Sequence, residues 1–195
     1  MRKFLQRALD RIEKTTKRVQ SFARPRGIEL EDTSVNAAVE STLQLLGPQH
    51  IEGITIETAL ADVPLVRGDV YTLQEVLFNL CLNAIAAMPD GGVLKLRTLA
   101  LGPRDDFNPG DVAIEVSDTG VGIPRGNLER IFEPFFTTRA DSGGTGLGLG
   151  LCRMLISEMD GRIQVRSELN QGTTFTVVLP RAEHAAKEAA KEQPR

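Results

Sequence analysis

The hydrophobic positions of this sequence change their spacing along the chain, and these changes predict its elements. In residues 1–26 they recur at heptad spacing, interrupted only by Thr16, which predicts an amphipathic helix that needs a partner and ends before Pro25. Further on, runs with helical spacing alternate with runs in which every second residue is apolar. The later predicted helices span residues 33–46, 70–88 and 147–159, and the predicted strands span residues 54–60, 93–101, 112–117, 163–167 and 173–179.

Glycine, proline and capping residues mark the predicted boundaries. The 33–46 helix is expected to have Asp32, Thr33 or Ser34 as its N-cap, residues 64–68 are expected to form a turn, and Asp69 is expected to cap the 70–88 helix. Several strands are joined by connections too short for a crossover helix. We therefore predict a two-layer α/β sandwich with a mixed, largely antiparallel sheet, preceded by the single heptad-patterned helix. The predicted domains are residues 1–26, residues 27–180 and a flexible tail at residues 181–195.

Composition and charge limit the class of protein. The chain has 195 residues, of which 41% are hydrophobic and 25% charged, so a globally disordered chain is excluded. The net charge of −3 conceals a +7 arm at residues 1–26 and a −10 remainder. A basic arm is typical of contact with nucleic acid or an anionic membrane, or of the solvated face of a helix. We favour the solvated face, because no nucleic-acid recognition motif accompanies the arm.

The cysteines and the hydropathy pattern point to the cytoplasm. Cys81 and Cys152 lie in apolar, helix-like runs without metal-ligand spacing, so they are predicted to be buried free thiols in a reducing compartment. No apolar run approaches the length of about 18 residues that a membrane-spanning helix needs, and no signal peptide is evident. We expect no membrane contact from this chain.

The predicted helix at residues 70–88 is apolar nearly all round, except for one polar stripe. Glu75, Asn79 and Asn83 recur at every fourth position and so share one face. Burying an amide without a partner costs about 1–3 kcal/mol. The stripe is therefore expected to face a polar ligand, an ion or a satisfied internal hydrogen-bond network, and the pattern alone leaves these alternatives open.

Two glycine-rich segments add candidate chemistry. A predicted strand ends in Asp118, and Gly120 and Gly122 follow at once, which permits a tight turn and a close backbone approach to a ligand. Residues 143–150 hold a second glycine-rich run that leads straight into a helix, where exposed N–H groups and the helix dipole favour an anion such as phosphate. This run is not a P-loop or a dinucleotide-binding fingerprint, because it lacks the Lys-Ser/Thr pair and the surrounding βαβ unit.

Taken in order, these motifs resemble the N, G1, F and G2 boxes of the catalytic and ATP-binding domain of bacterial sensor histidine kinases, within the GHKL (Bergerat) ATPase superfamily. The F-box match is the Phe-Glu-Pro-Phe-Phe-Thr-Thr run at residues 132–138. The resemblance covers about residues 1–180, and residues 21–25 are similar to the end of the second dimerisation helix. The Asn-Ala-Ile-Ala-Ala-Met-Pro run at residues 83–89 is similar to the nitrogen-regulatory subgroup.

The resemblance implies a Bergerat fold with ATP and Mg²⁺ as cofactors. It implies that Asp118 accepts a hydrogen bond from the adenine amine and that Asn83, with Asn79 beside it, holds Mg²⁺. The catalytic residues it implies are Asn79, Glu75 and Arg139, the last in a lid at residues 137–143. The three phenylalanines of the F box are expected either to close this lid or to be plain core aromatics. The complete set of nucleotide-binding residues that the resemblance implies is Asn79, Asn83, Asp118, Gly120, Gly122, Ile123, Thr137, Thr138, Gly144, Thr145, Gly146, Leu147, Gly148, Leu149 and Thr173.

The resemblance also bears on the type of reaction. Related ATPases of the superfamily carry a glutamate where this chain has Asn79, and an amide cannot act as a water-activating base. We therefore expect transfer of the γ-phosphoryl group to a protein histidine and poor hydrolysis.

The histidine that accepts the phosphoryl group is expected to lie outside this chain. Neither His50 nor His184 has the acceptor context, so we expect the acceptor on a dimerisation helix that is missing here. The chain resembles a fragment of a longer, homodimeric cytoplasmic kinase that acts on the receiver domain of a response regulator. The alternative is a nucleotide-binding regulatory or interaction module of the same fold without kinase turnover.

Overall fold

Seven strands and three α-helices form the part of the chain that the computed structural model describes, which comprises residues 27–47, 50–102, 110–138 and 144–182. The predicted heptad helix lies outside these residues, and so does the sequence from residue 183 onward. In chain order the elements are β1 (Glu31–Thr33), α1 (Val35–Leu45), β2 (Ile54–Leu60), β3 (Val66–Gly68), α2 (Val70–Ala86), β4 (Gly92–Ala100), β5 (Val112–Asp118), a 3₁₀ turn (Arg125–Asn127), α3 (Gly148–Ser157), β6 (Arg162–Glu168) and β7 (Gly172–Leu179).

The main sheet has five strands in the order β2-β4-β5-β7-β6. Only β2 and β4 run parallel, and the other neighbours are antiparallel. Helix α2 packs against both α1 and α3, and the layer of helices covers one face of the sheet with a shared apolar core. The predicted α/β sandwich with a mixed, largely antiparallel sheet is confirmed.

A second sheet, which the sequence did not predict, joins β1 and β3 antiparallel. Residues 66–68 therefore form a strand where a turn was expected. The sheet extends to the end of the described chain, because Arg181 bridges Val66 and the Ala182 N–H donates to the Leu65 carbonyl at 3.0 Å. Strands of three residues are too short to show an alternating pattern, and their stability comes from pairing with distant segments.

The predicted helix caps place α1 and α2 firmly. Ser34 accepts from the Ala37 N–H at 3.3 Å, and Asp69 accepts from the Thr72 N–H at 2.7 Å. Each bond satisfies one of the N–H groups that a helix leaves without an internal partner at its start. Helix α2 thus begins at Val70 and carries its apolar side into the core, which leaves its polar stripe on another side.

Both cysteines are buried free thiols, as predicted. Burial raises the pKa of the Cys81 thiol to about 12, because the apolar core disfavours the thiolate. Among the described residues, no helix has the length and apolar character needed to cross a membrane.

Candidate active site

A cavity of about 250 Å³ opens where the glycine-rich segments approach helix α2. This volume is close to the lower end of small-molecule sites, about 300–1,000 Å³. Four parts of the fold form its wall: one side of α2, the ends of β5 and β7, the segment after β5 through Thr138, and residues 144–149 at the start of α3.

Most of the residues that the resemblance implies for nucleotide binding line this cavity. They are Asn79, Asn83, Asp118, Gly122, Ile123, Thr137, Thr138, Gly144, Thr145, Gly146, Gly148, Leu149 and Thr173. The two remaining nucleotide-binding candidates, Gly120 and Leu147, are buried and do not line the cavity. The predicted catalytic residue Glu75 is solvent-exposed on α2. Arg139, and with it most of the predicted lid, lies outside the described residues.

The two asparagines of α2 meet the cavity with their amide groups uncommitted. Both side chains are half-buried, and neither makes a hydrogen bond within the described parts of the chain. The internal network that the sequence left open for this stripe is therefore not present among those residues. Because no protein group among the described residues occupies these amides and they border the cavity, they are available to bind a polar ligand or an ion.

Asp118 ends β5 beside the loop that contacts Ala87 at the end of α2, whereas Asn79 lies next to Gly148 at the start of α3. Asp118 is buried, and its Oδ1 accepts from the Gly120 N–H at 2.9 Å. This bond fixes the orientation of the carboxylate. The loop itself is fixed by the Val121 N–H, which donates to the Ala87 carbonyl at 3.0 Å. A Cβ at position 120 would collide with that same carbonyl, so only glycine fits there.

The start of α3 presents backbone donors to the cavity. Its N-cap residue, Leu147, offers no side-chain hydrogen bond to the free N–H groups of the first turn. Gly146, just before it, has a φ of +68°, and its carbonyl accepts from the Phe135 N–H at 2.9 Å. Exposed N–H groups and the positive end of the helix dipole make this turn suited to an anion.

The described wall of the cavity contains no Lys or Arg. An anionic ligand would therefore be held here by backbone N–H groups, by the dipole of α3 and by a cation that the ligand brings with it. Oxygen ligands such as asparagine side chains suit Mg²⁺, which commonly binds through few protein groups and through substrate phosphates.

The three phenylalanines of the F box have different environments. Phe132 is buried and packs edge-on against Phe175, with the ring centroids 6.4 Å apart. Phe136 lines the cavity, with the Arg130 guanidinium 4.5 Å from its ring centroid. Phe135 is 72% exposed and has a φ of +68°. Phe132 is thus a core aromatic, as one of the two alternatives expected.

Sequence reasoning missed two polar residues at the cavity: Asn127, which lines it, and Ser167, which lies beside it. Ser167 lies on β6 at a position whose neighbours in the alternation, Ile163 and Val165, pack against the core. Its hydroxyl accepts from the Ile123 N–H at 2.7 Å and lies 3.0 Å from the Thr173 hydroxyl. The signal that could have identified Ser167 is a serine at a core-facing position of a strand.

The comparisons with known proteins identify the class. The family model described as histidine kinase-, DNA gyrase B-, and HSP90-like ATPase matches residues 68–183, more than half of the chain. This chain therefore belongs to that family of ATPases. Its two-layer fold is the Bergerat fold expected from the motifs.

Within the family, the chain is similar to sensor histidine kinases. It is 34% identical over 174 residues to the signal transduction histidine-protein kinase AtoS of Escherichia coli K12, covering 88% of this chain and 27% of AtoS. The chain thus spans about a quarter of that protein. These similarities confirm the histidine kinase resemblance, while the nitrogen-regulatory subgroup stays a prediction.

Solved structures give the same class. Full-length ShkA in complex with AMPPNP matches with a TM-score of 0.73 and 27% identity, covering 89% of this chain and 36% of ShkA. The histidine kinase ThkA in complex with the response regulator protein TrrA also matches with a TM-score of 0.73, at 25% identity, covering 93% of this chain and 50% of ThkA.

Proposed function

We propose that this chain binds Mg-ATP in the cavity and transfers the γ-phosphoryl group to a histidine on another polypeptide segment. The observation that carries the proposal is the contrast between the two ends of the cavity. One end holds a fixed, buried carboxylate, and the other holds uncommitted amides and helix N–H groups. An adenine nucleoside triphosphate matches both ends of the cavity, because its base carries an amine and its phosphates carry negative charge.

The side chains have distinct roles in this proposal. Asp118 accepts a hydrogen bond from the adenine amine. The amide oxygens of Asn83 and Asn79 hold Mg²⁺, which would neutralise charge on the phosphates during transfer. The N–H groups at residues 146–148 bind the phosphates, and Arg139 reaches the γ-phosphate from the lid.

Transfer is favoured over hydrolysis by the chemistry of the α2 stripe. The cavity side of the stripe offers only amides, and an amide cannot deprotonate water. Glu75 is one turn away and exposed to solvent, where an incoming histidine-bearing helix would find it. The ATP-binding domain alone is therefore expected to turn over ATP slowly until such a helix is supplied.

His50 is unsuited to be the acceptor within this chain. Its Nδ1 is buried without a hydrogen-bond partner among the described residues, and its ring packs edge-on against Phe78 at a centroid distance of 6.1 Å. This observation favours a second candidate function for the chain on its own, a nucleotide-binding regulatory module without turnover. For the whole kinase we propose a cytoplasmic homodimer that passes the phosphoryl group to a response regulator.

The test uses γ-labelled ATP with the full chain and a separately produced histidine-bearing dimerisation domain of a sensor kinase. Label on that domain supports the kinase proposal. Nucleotide binding without label, repeated over several such domains, would favour the regulatory module. Absence of any nucleotide binding would overturn both.

A further inference from the structure

Ser167 makes three hydrogen-bond contacts that together fix the direction of its single proton. Its Oγ accepts from the Ile123 N–H at 2.7 Å, donates to the Gly172 carbonyl at 2.9 Å and lies 3.0 Å from the Thr173 Oγ1. A carbonyl has no proton to give, so the Ser167–Gly172 contact is attractive only if Ser167 donates. The backbone N–H of Ile123 has no lone pair, so it only donates.

The remaining contact is then determined. Because the proton of Ser167 is committed to Gly172, the bond between the two hydroxyls is made by the proton of Thr173. Thr173 lines the cavity and is buried to 4% exposure. With its proton engaged, it offers only lone pairs to a molecule in the cavity.

Thr173 lies beside Asp118, so the direction of its proton affects which groups a ligand can place there. The two residues are register partners on β7 and β5, and Ser167 is the register partner of Thr173 on β6. Cross-strand partners point to the same side of a sheet. The base end of the cavity thus presents two neighbouring acceptors, a carboxylate and a hydroxyl whose proton is turned away.

We infer that Ser167 is a positioning residue that holds Thr173 as a hydrogen-bond acceptor, and that it thereby helps the site select a 6-aminopurine over a 6-oxopurine. This inference rests on the proposed function, since it concerns the base of the same nucleotide. An exocyclic amine has two protons and suits two acceptors. A carbonyl oxygen in its place has none, and it would face two acceptors without a donor.

The inference is tested by the ratio of the dissociation constants of Mg-ITP and Mg-ATP, measured by titration of the full chain. ITP carries an oxygen where ATP carries the 6-amine. In Ser167→Ala the Thr173 hydroxyl is free to turn and donate to that oxygen, so the ratio should fall by roughly fivefold. Ser167→Thr, which keeps a hydroxyl, should restore it. The ratio is insensitive to a general loosening of the Ile123 loop, which weakens both nucleotides alike.

Thr173→Val provides the decisive background. Valine has the same shape but no hydroxyl to orient, so Ser167→Ala should leave the ratio unchanged in that background. A shift of equal size with and without the Thr173 hydroxyl would overturn the inference, and so would an unchanged ratio in Ser167→Ala alone.

If Ser167→Ala does not fold, Ser167→Cys, whose thiol is a weak donor and acceptor, should shift the ratio in the same direction. In these failures the wild-type chain still binds ATP, whereas failure of the proposed function removes that binding itself.

Discussion

The two ends of the cavity are built on opposite principles. At the base end, Asp118 and Ser167 are held by hydrogen bonds to the loop after β5, and Thr173 is bonded to Ser167. At the phosphate end, the side chains of Asn79 and Asn83 make no hydrogen bond among the described residues, and α3 begins without a side-chain cap. The base end is therefore preorganised, while the phosphate end leaves its polar groups available to a ligand. Substitutions at the two ends should fail in different ways.

The largest effect is expected at the phosphate end, from Asn83→Ala. Loss of the amide oxygen removes the proposed metal ligand, and turnover or Mg²⁺-dependent binding should fall on the order of a hundredfold or more. Stability should change little, because the side chain makes no hydrogen bond in the described structure. The measurement is phosphotransfer to a supplied histidine domain together with nucleotide titration with and without Mg²⁺.

Gln74→Ala is the matched control for that variant. It removes an amide from the same helix at a position that does not line the cavity, and it should retain activity. Wild-type activity in Asn83→Ala would reject the metal role. It would also mean that the free side-chain amides at the phosphate end have no function in ligand binding.

The second effect is expected at the base end, from Asp118→Asn. An amide oxygen can still accept from the Gly120 N–H, so the fold should be kept, but the loss of charge should weaken ATP binding about tenfold or more. The loss should be equal with and without Mg²⁺, unlike that of Asn83→Ala. Titration with ATP measures it.

Glu115→Gln is a suitable control for Asp118→Asn. It makes the same chemical change, carboxylate to amide, on the same strand. Glu115 does not line the cavity, and its carboxylate pairs with the Arg97 guanidinium at a distance of 3.4 Å. Equal weakening by both variants would indicate that Asp118 acts through general charge and not through contact with the base.

Much of this contrast was readable in the sequence, because its signals are local. The period of four in Glu75, Asn79 and Asn83 placed a polar stripe on an apolar helix, and the stripe's last two members do meet the cavity. Asp118 at a strand end before two glycines was equally local. Motif spacing thus carries information when one element or one turn supplies the whole feature.

The features that the sequence did not reveal depend on pairing between distant segments. Ser167 acquires its role only through the register that sets it beside Thr173 and through the approach of Ile123. The sheet of β1 and β3 arises in the same way. The exposure of Phe135, between the buried Phe132 and the cavity-lining Phe136, follows from its left-handed backbone, which no apolar pattern records.

A third, smaller effect is expected from Gly146→Ala at the phosphate end. The new Cβ would meet the Phe135 backbone, and the φ of +68° is unfavourable for alanine. The strain should destabilise the native state by about 1–3 kcal/mol and weaken ATP binding by displacing the loop. Gly126→Ala is the control, because nothing lies within 4 Å of its Cβ. Thermal melting and ATP titration of both variants decide the matter, and equal behaviour would mean that the loop is not held against Phe135.

The smallest effect concerns Cys81, which lies on α2 but faces the core and not the cavity. Burial raises the pKa of this thiol from its usual value of 9.0 to about 12. Between these two pH values the folded state keeps the thiol proton, while the unfolded chain loses it. The stability that this difference contributes is present below pH 9 and is lost as the pH rises towards 12.

Alkylation of native Cys81 at pH 8 should be on the order of a hundredfold or more slower than in the unfolded chain. Peptide-resolved mass spectrometry measures the rate, and saturating ATP should not alter it. Rapid labelling of Cys81 that ATP suppresses would contradict this expectation. It would show that the core-facing side of α2 becomes accessible when the phosphate end is empty, so that the two sides of the helix are coupled.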